Sequence, residues 1–230
     1  MRRKLLRYFS RAERLLWGLS VVFIVGSFCA FDRENYLTLA ASLIGVTSLI
    51  FNAKGNPIGQ VLMVLFSLLY GIISYTFAYY GEMLTYLGMS LPMAVWSAVT
   101  WRRNTAHEAG SAVAIPRLTG RDLALLVLAT AAATALFGWL LAALDTPNLG
   151  FSILSVATSF LAAALTMLRS SYYGLGYAAN DIVLVVLWVL ASCEDPVYIP
   201  VAVNFGIFLF HDFYGFLSWK KRERHMAQTA

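Results

Sequence analysis

The chain of 230 residues is 60% hydrophobic and 13% charged, about half the charged share of a soluble domain. That balance excludes a soluble enzyme or a nucleic-acid-binding domain and points to a membrane protein with almost nothing left over for a soluble part. The net charge of +5 follows from where Lys and Arg stand along the chain, not from a polyanionic partner.

A window of about 20 residues resolves eight apolar segments, 15–31, 36–53, 58–79, 83–101, 122–144, 149–168, 172–192 and 197–219. The first follows a basic stretch in which Leu5, Leu6 and Phe9 are interleaved with Arg2, Arg3, Lys4 and Arg7, a pattern suited to an anionic membrane surface. A rival reading makes that segment a signal peptide, with Ser27 and Cys29 near a cleavage point and seven spans remaining. On the third segment Gln60, Ser67 and Ser74 share a face with Tyr70 beside it. Ser67 and Ser74 read as residues that permit close helix packing, Gln60 and Tyr70 as site candidates.

Pro92 predicts a kink in the fourth segment, where Trp96 and Trp101 serve either as interfacial anchors or as ligand platforms. Residues 102–121, with Gly110, Ser111 and Pro116, predict a flexible link. The opposite turns, 32–35, 145–148 and 194–196, are short.

The seventh segment carries Asn180 and Asp181 about nine residues, or ~13 Å, from its start. Asn180, Leu184 and Trp188 fall on one face, offering an amide and a ring; gluing two helices together is the alternative use of such an Asn. On the eighth segment Asn204, Phe208, His211 and Gly215 form one stripe, and Asp212 lies about 80–100° off it; holding a neighbouring helix is as open a use for His211 and Asp212 as binding a solute. Asp181 and Asp212 are the only charges inside the long apolar runs, where an ionised carboxylate costs at least ~2.5–3.5 kcal/mol.

Sixteen of the 17 Lys and Arg fall on one membrane face if there are eight crossings; the other face holds Arg33 with Asp32, Glu34, Glu82, Asp145, Glu194 and Asp195. Positive residues near segment ends stay cytoplasmic, so both termini are expected in the cytoplasm. Cys29 and Cys193 fall near the same ends of their segments, so a disulfide is conceivable, but isolated apolar-flanked thiols read as core residues.

The chain also reads similarly twice. Gly59 onward aligns with Gly174 onward, Trp101-Arg102-Arg103 with Trp219-Lys220-Lys221, and Ser42 to Val46 with Ser152 to Val156. Segments two to four and six to eight thus form parallel triplets joined by the fifth, a transporter architecture with substrate held between the halves. The expected fold is an all-α integral membrane protein of eight transmembrane helices. Its parts are a basic N-terminus and extra helix over 1–35, a first repeat over 36–104, a link and linker helix over 105–148, a second repeat over 149–221 and a cytoplasmic tail over 222–230. The two acids occur only in the second triplet, so ligand chemistry is expected mainly there. No metal-ligand set, Ser/His/Asp constellation, phosphate-cradling loop or nucleotide-hydrolysis motif appears in the sequence, so neither an enzyme nor a cofactor is expected.

Leu69-Tyr70, Ile73-Ser74-Tyr75, Tyr80-Gly81-Glu82-Met83, Leu91-Pro92-Met93, Trp96 and Trp101, followed by Arg169, Asn180, Trp188 and the helix from Asn204 to Trp219, resemble the Pnu family of bacterial vitamin transporters. The resemblance implies a SWEET-like fold, a homotrimer in the bacterial inner membrane, and facilitated diffusion with a cytoplasmic kinase trapping the arrived vitamin. The implied substrate is nicotinamide riboside, with a deoxynucleoside, thiamine or riboflavin as alternatives; a non-transporting sensor or assembly subunit is the competing class. Substrate-binding candidates are Asn180, Asp181, Trp188, Asn204, Phe208, His211, Gln60, Tyr70 and Tyr173. One departure stands out: the family's Trp-x-x-Trp-x-x-x-Asn run reads Tyr173-x-x-Gly176-x-x-x-Asn180, and loss of a ring at Gly176 is expected to open room for a bulkier base.

Overall fold

A computed structural model describes residues 8–76, 79–105 and 112–229. The basic stretch over 1–7 and the Gly110-Ser111 part of the link lie outside them, as do 77–78 at the end of the third segment. Among the described residues are eight helices long and apolar enough to cross a membrane. They are α1 (Arg11–Phe31), α2 (Tyr36–Ala53), α3 (Pro57–Thr76), α4 (Tyr80–Arg103), α5 (Gly120–Ala143), α6 (Leu149–Met167), α7 (Tyr173–Glu194) and α8 (Ile199–Thr229).

Local chemistry explains most of the boundaries. Ser10 and Glu13 form a reciprocal capping box that starts α1 four residues before the apolar run, and Thr119 with Asp122 does the same for α5. Helix α8 continues ten residues past the apolar run, because its polar extension finds partners: Glu223 accepts from Ser171 Oγ (2.9 Å) and Lys220 Nζ (2.8 Å), and Lys220 lies over the Tyr172 ring. Pro92 acts one turn upstream. Residues Thr85–Ser90 widen into a π-helical stretch in which the Leu91 amide donates to Tyr86, accommodating a proline that would clash with the carbonyl four residues back.

Within each triplet neighbouring helices pack in order, α2 on α3 on α4 and α6 on α7 on α8. Between triplets α2 packs on α8 and α4 on α6. Those two contacts exchange when the triplets are interchanged, as a two-fold relation requires. Helix α5 lies on α6, and α1 on α2 and α8.

Helix α1 is tied into the bundle by polar contacts. Trp17 Nε1 donates to Thr47 Oγ1 (3.1 Å), and Ser20 Oγ lies 2.9 Å from His211 Nε2. The buried Glu13 carboxylate receives Lys54 Nζ at 3.1 Å and the Tyr214 hydroxyl at 3.1 Å. A segment so anchored is a member of the bundle.

The described part of the link is pinned, contrary to the expected flexibility. Val113 is buried; its N–H donates to Gly55 O (2.9 Å), and its carbonyl accepts from Arg222 (2.8 Å). Val113, Ile115 and Leu118 pack onto Trp101, Tyr173 and Trp219. An apolar strap thereby closes the end of the bundle that carries most of the Lys and Arg, called here the basic end. Cys29 and Cys193 are free and exposed, so neither is a core residue.

Candidate functional site

Two small cavities lie on the axis between the triplets. The inner one, about 40 Å³, is lined from both halves: Leu49 of α2, Met63, Phe66 and Ser67 of α3, Tyr86 and Ser90 of α4, Ser159 of α6, Tyr177, Asn180 and Asp181 of α7, and Phe205, Phe208 and Asp212 of α8. The outer one, about 60 Å³, lies toward the acidic end and is lined by Tyr79, Glu82, Thr146, Ser152, Trp188 and Glu194 among others. Ligand pockets usually enclose about 300–1,000 Å³, so a drug-sized solute enters only if the helices part.

Stacked rings connect the cavities. From the outer one, Trp188 meets Tyr79 (5.1 Å between centroids) and Tyr70 (6.4 Å). Tyr70 meets Tyr86 (4.5 Å) and Phe205 (5.6 Å), which line the inner cavity. Burial, with Tyr198, Glu194 and Asp195 adding to it, pushes the Tyr79 phenol up to about 12, so it remains a neutral hydrogen-bonding group at the acidic end. Below the inner cavity, Tyr173 meets Trp219 edge-on (4.8 Å) and Trp101 packs on Trp219 at a tilt (5.2 Å).

Around this column the buried polar groups fall into two kinds. Some are satisfied. Asn180 Oδ1 accepts from Thr158 Oγ1 and Ser159 Oγ, both at 2.9 Å, which leaves only its amide N–H donors to offer. Others are not: Tyr70 OH, Ser74 Oγ, Trp188 Nε1 and both amide atoms of Asn204 are buried with no partner among the described residues. An unmet buried group costs about 1–3 kcal/mol, so a cluster of them along one path is expensive unless it is used.

The candidates drawn from the sequence separate accordingly. Asn180, Asp181 and Phe208 line the inner cavity and Trp188 the outer one; Tyr70 lies between them, and Asn204 is buried one turn before Phe208. His211 does not belong with them, because its ring is engaged with Ser20 at the α1–α8 contact. Gln60 stands outside the lining of both cavities, donating to Asn52 Oδ1 at 2.9 Å near the basic end. Tyr173 seals the basic end below the cavity.

Ser67, expected only to pack, lines the inner cavity. Asp212, open to either use from the sequence, lines it too, because the face turned inward is Phe205, Phe208 and Asp212. The first triplet shares in this lining: Phe66 and Tyr86 belong to it, and Tyr70 and Ser74 are among the unpartnered groups.

Gly176 opens no room. A Cβ there would stand 3.0 Å from Ala162 Cα, because α6 closes onto α7 at that point. Of the two uncommitted tryptophans, Trp96 is exposed on the outside of the bundle, whereas Trp101 is fully buried. Sequence reasoning passed over Tyr86, Tyr177 and Ser159. Only Tyr86 left a trace, since Pro92 marks the π-helical turn that carries it.

Comparison with known proteins agrees with this architecture. The family model described as nicotinamide mononucleotide transporter matches residues 35–221. The chain is 26% identical over 224 residues to a nicotinamide riboside transporter PnuC of Neisseria mucosa, covering 93% of this chain and 83% of that one. It is 23% identical over 203 residues to the PnuC of Haemophilus influenzae, covering 87% of each. A crystal structure of the vitamin B3 transporter PnuC superposes with a TM-score of 0.80 at 22% identity, over 93% of this chain and 92% of the other, and shows the same fold.

Proposed function

The chain belongs to the nicotinamide mononucleotide transporter family, and we propose that it carries nicotinamide riboside across the bacterial inner membrane by facilitated diffusion. The observation that carries this reading is the set of unpartnered buried groups, Tyr70 OH, Ser74 Oγ, Trp188 Nε1 and the Asn204 amide, distributed along an aromatic column between two cavities. Rings stack on a planar base, and amide and hydroxyl groups match the hydroxyls of a ribose. A solute that satisfies them repays the desolvation already spent on them, and once the helices have parted it moves from ring to ring.

The cavity lining also favours the riboside over the mononucleotide. Among the described residues it includes two aspartic acids and no Lys or Arg, so a phosphate would meet no counter-charge. Trapping follows from the same chemistry: once a cytoplasmic kinase has phosphorylated the riboside, the product no longer fits the path. The positive-inside distribution of Lys and Arg supports cytoplasmic termini. A homotrimer belongs to the proposal on family resemblance, and light scattering of the purified protein tests it.

The test of transport is uptake of labelled nicotinamide riboside into proteoliposomes. Flux should run down the riboside gradient, stop at equilibrium and survive collapse of proton and sodium gradients. Absence of riboside-specific flux would sink the substrate; flux that vanishes with an ion gradient would sink the mechanism.

A further inference from the structure

Asp181 on α7 and Asp212 on α8 line the same cavity, each buried to within 3% of its surface. Among the described residues no basic side chain shares that lining. Lys54 is engaged with Glu13 at the basic end, Arg222 with Val113, and His211 turns away to Ser20. The two carboxyls meet each other in a side-chain hydrogen bond, so they share one proton and present a single negative charge to this space. The remaining walls include Phe66, Tyr86, Phe205 and Phe208, ring faces that attract a cation. A buried acidic pair with no resident counter-ion, walled by aromatic rings, suits a solute that brings positive charge with it.

We propose that Asp181 and Asp212 are the counter-charge for a ring-borne positive charge, and that they select N-alkylated heteroaromatic cations over neutral nucleosides of the same size. The inference rests on the transport reading above and deepens it. Nicotinamide riboside has such a charge on its pyridinium nitrogen. Its dihydro form has almost the same atoms and no charge, and thymidine is a neutral nucleoside of comparable size.

The full-length protein in proteoliposomes is given nicotinamide riboside, dihydronicotinamide riboside, thiamine and thymidine in turn, as wild type and as Asp181→Asn and Asp212→Asn. Wild type should prefer the cationic riboside to its dihydro form. In either variant the uptake ratio of the cation to its dihydro form should fall about tenfold or more, while the melting temperature in detergent stays near wild type and so reports an intact fold. Preference for thiamine over thymidine that is lost in the variants would support the same pair acting on another cation. Equal wild-type uptake of the two ribosides, or a cation preference that persists in both variants, would overturn the inference and leave transport standing. A variant in which all four solutes slow alike would also overturn it, assigning the acids to structure. Failure of all four to cross in wild type would remove the transport reading together with it.

Discussion

Trp101 and Trp219 stack at the basic end with ring centroids 5.2 Å apart, and each donates its indole N–H into the other half of the molecule. Trp101 of α4 reaches Thr166 O at 2.9 Å, and Trp219 of α8 reaches Asn52 O at 2.8 Å. Asn52 and Thr166 are the penultimate residues of α2 and α6, so the two bonds are copies of one contact exchanged across the triplets. The pair joins the halves where the strap of Val113 covers them, and any motion that opens the basic end has to separate or tilt these rings.

Replacing either indole with a ring that lacks the N–H tests the exchange. Trp101→Phe and Trp219→Phe each remove one hydrogen bond from a buried helix-end carbonyl that keeps a backbone donor, the Arg169 N–H on Thr166 and the Gly55 N–H on Asn52, so each should lose about 0.5–1.5 kcal/mol of stability, and by similar amounts. Thermal melting in detergent reads this directly; a large loss in one variant and none in the other would contradict the symmetry.

The unpartnered groups of the column should behave oppositely to packing residues. Tyr70→Phe and Asn204→Leu remove buried polar atoms that have no protein partner. Melting temperature should stay level or rise, while riboside affinity falls about tenfold per lost hydrogen bond to solute. A fall in both together would mark these side chains as structural.

Asn180 is predicted to serve both purposes. Asn180→Ala strands the Ser159 hydroxyl, while Thr158 Oγ1 keeps the carbonyls of Leu154 and Ser155 as acceptors. Stability should drop by about 1 kcal/mol and binding should weaken as well, which melting curves with and without riboside separate.

Glu13 is predicted to hold α1 in place, through Lys54 and Tyr214. Glu13→Gln keeps the volume but removes the charge, leaving Lys54 half-buried without its partner. A loss of about 1–3 kcal/mol is expected, with earlier proteolysis near α1 as a second measure and little change in riboside affinity.

Gly176, where the resemblance noted in the sequence places a tryptophan, should not tolerate one. Gly176→Trp drives a ring into Ala162 and Leu165, so it should lower the melting temperature sharply or abolish folding. A stable variant with higher riboside affinity would show instead that α6 yields at this point.

How far the sequence could be read depended on the range of the interactions involved. Hydropathy over about 20 residues is a local property, and the span 36–53 agrees with α2 to the residue. The early start of α1 was equally local, written in Ser10 and Glu13, but a hydropathy window does not register a capping box. A polar residue in an apolar helix stands out in any sequence, which is why Asn180, Asp181, Trp188 and Asn204 were singled out. Its use does not stand out. His211 and Asp212 are neighbours in the chain, yet one meets a serine 191 positions away and the other faces the cavity.

The sequence alone therefore determined the solvent of each segment, the number of crossings, the repeat and the polar exceptions within the apolar runs, because burial in lipid demands long apolar runs and makes every exception visible. The tertiary structure decided which exceptions are struts and which line the path. That choice turns on the rotation of one helix against another by a fraction of a turn. It is settled by contacts between residues far apart in the chain, such as Ser20 with His211 and Trp219 with Asn52.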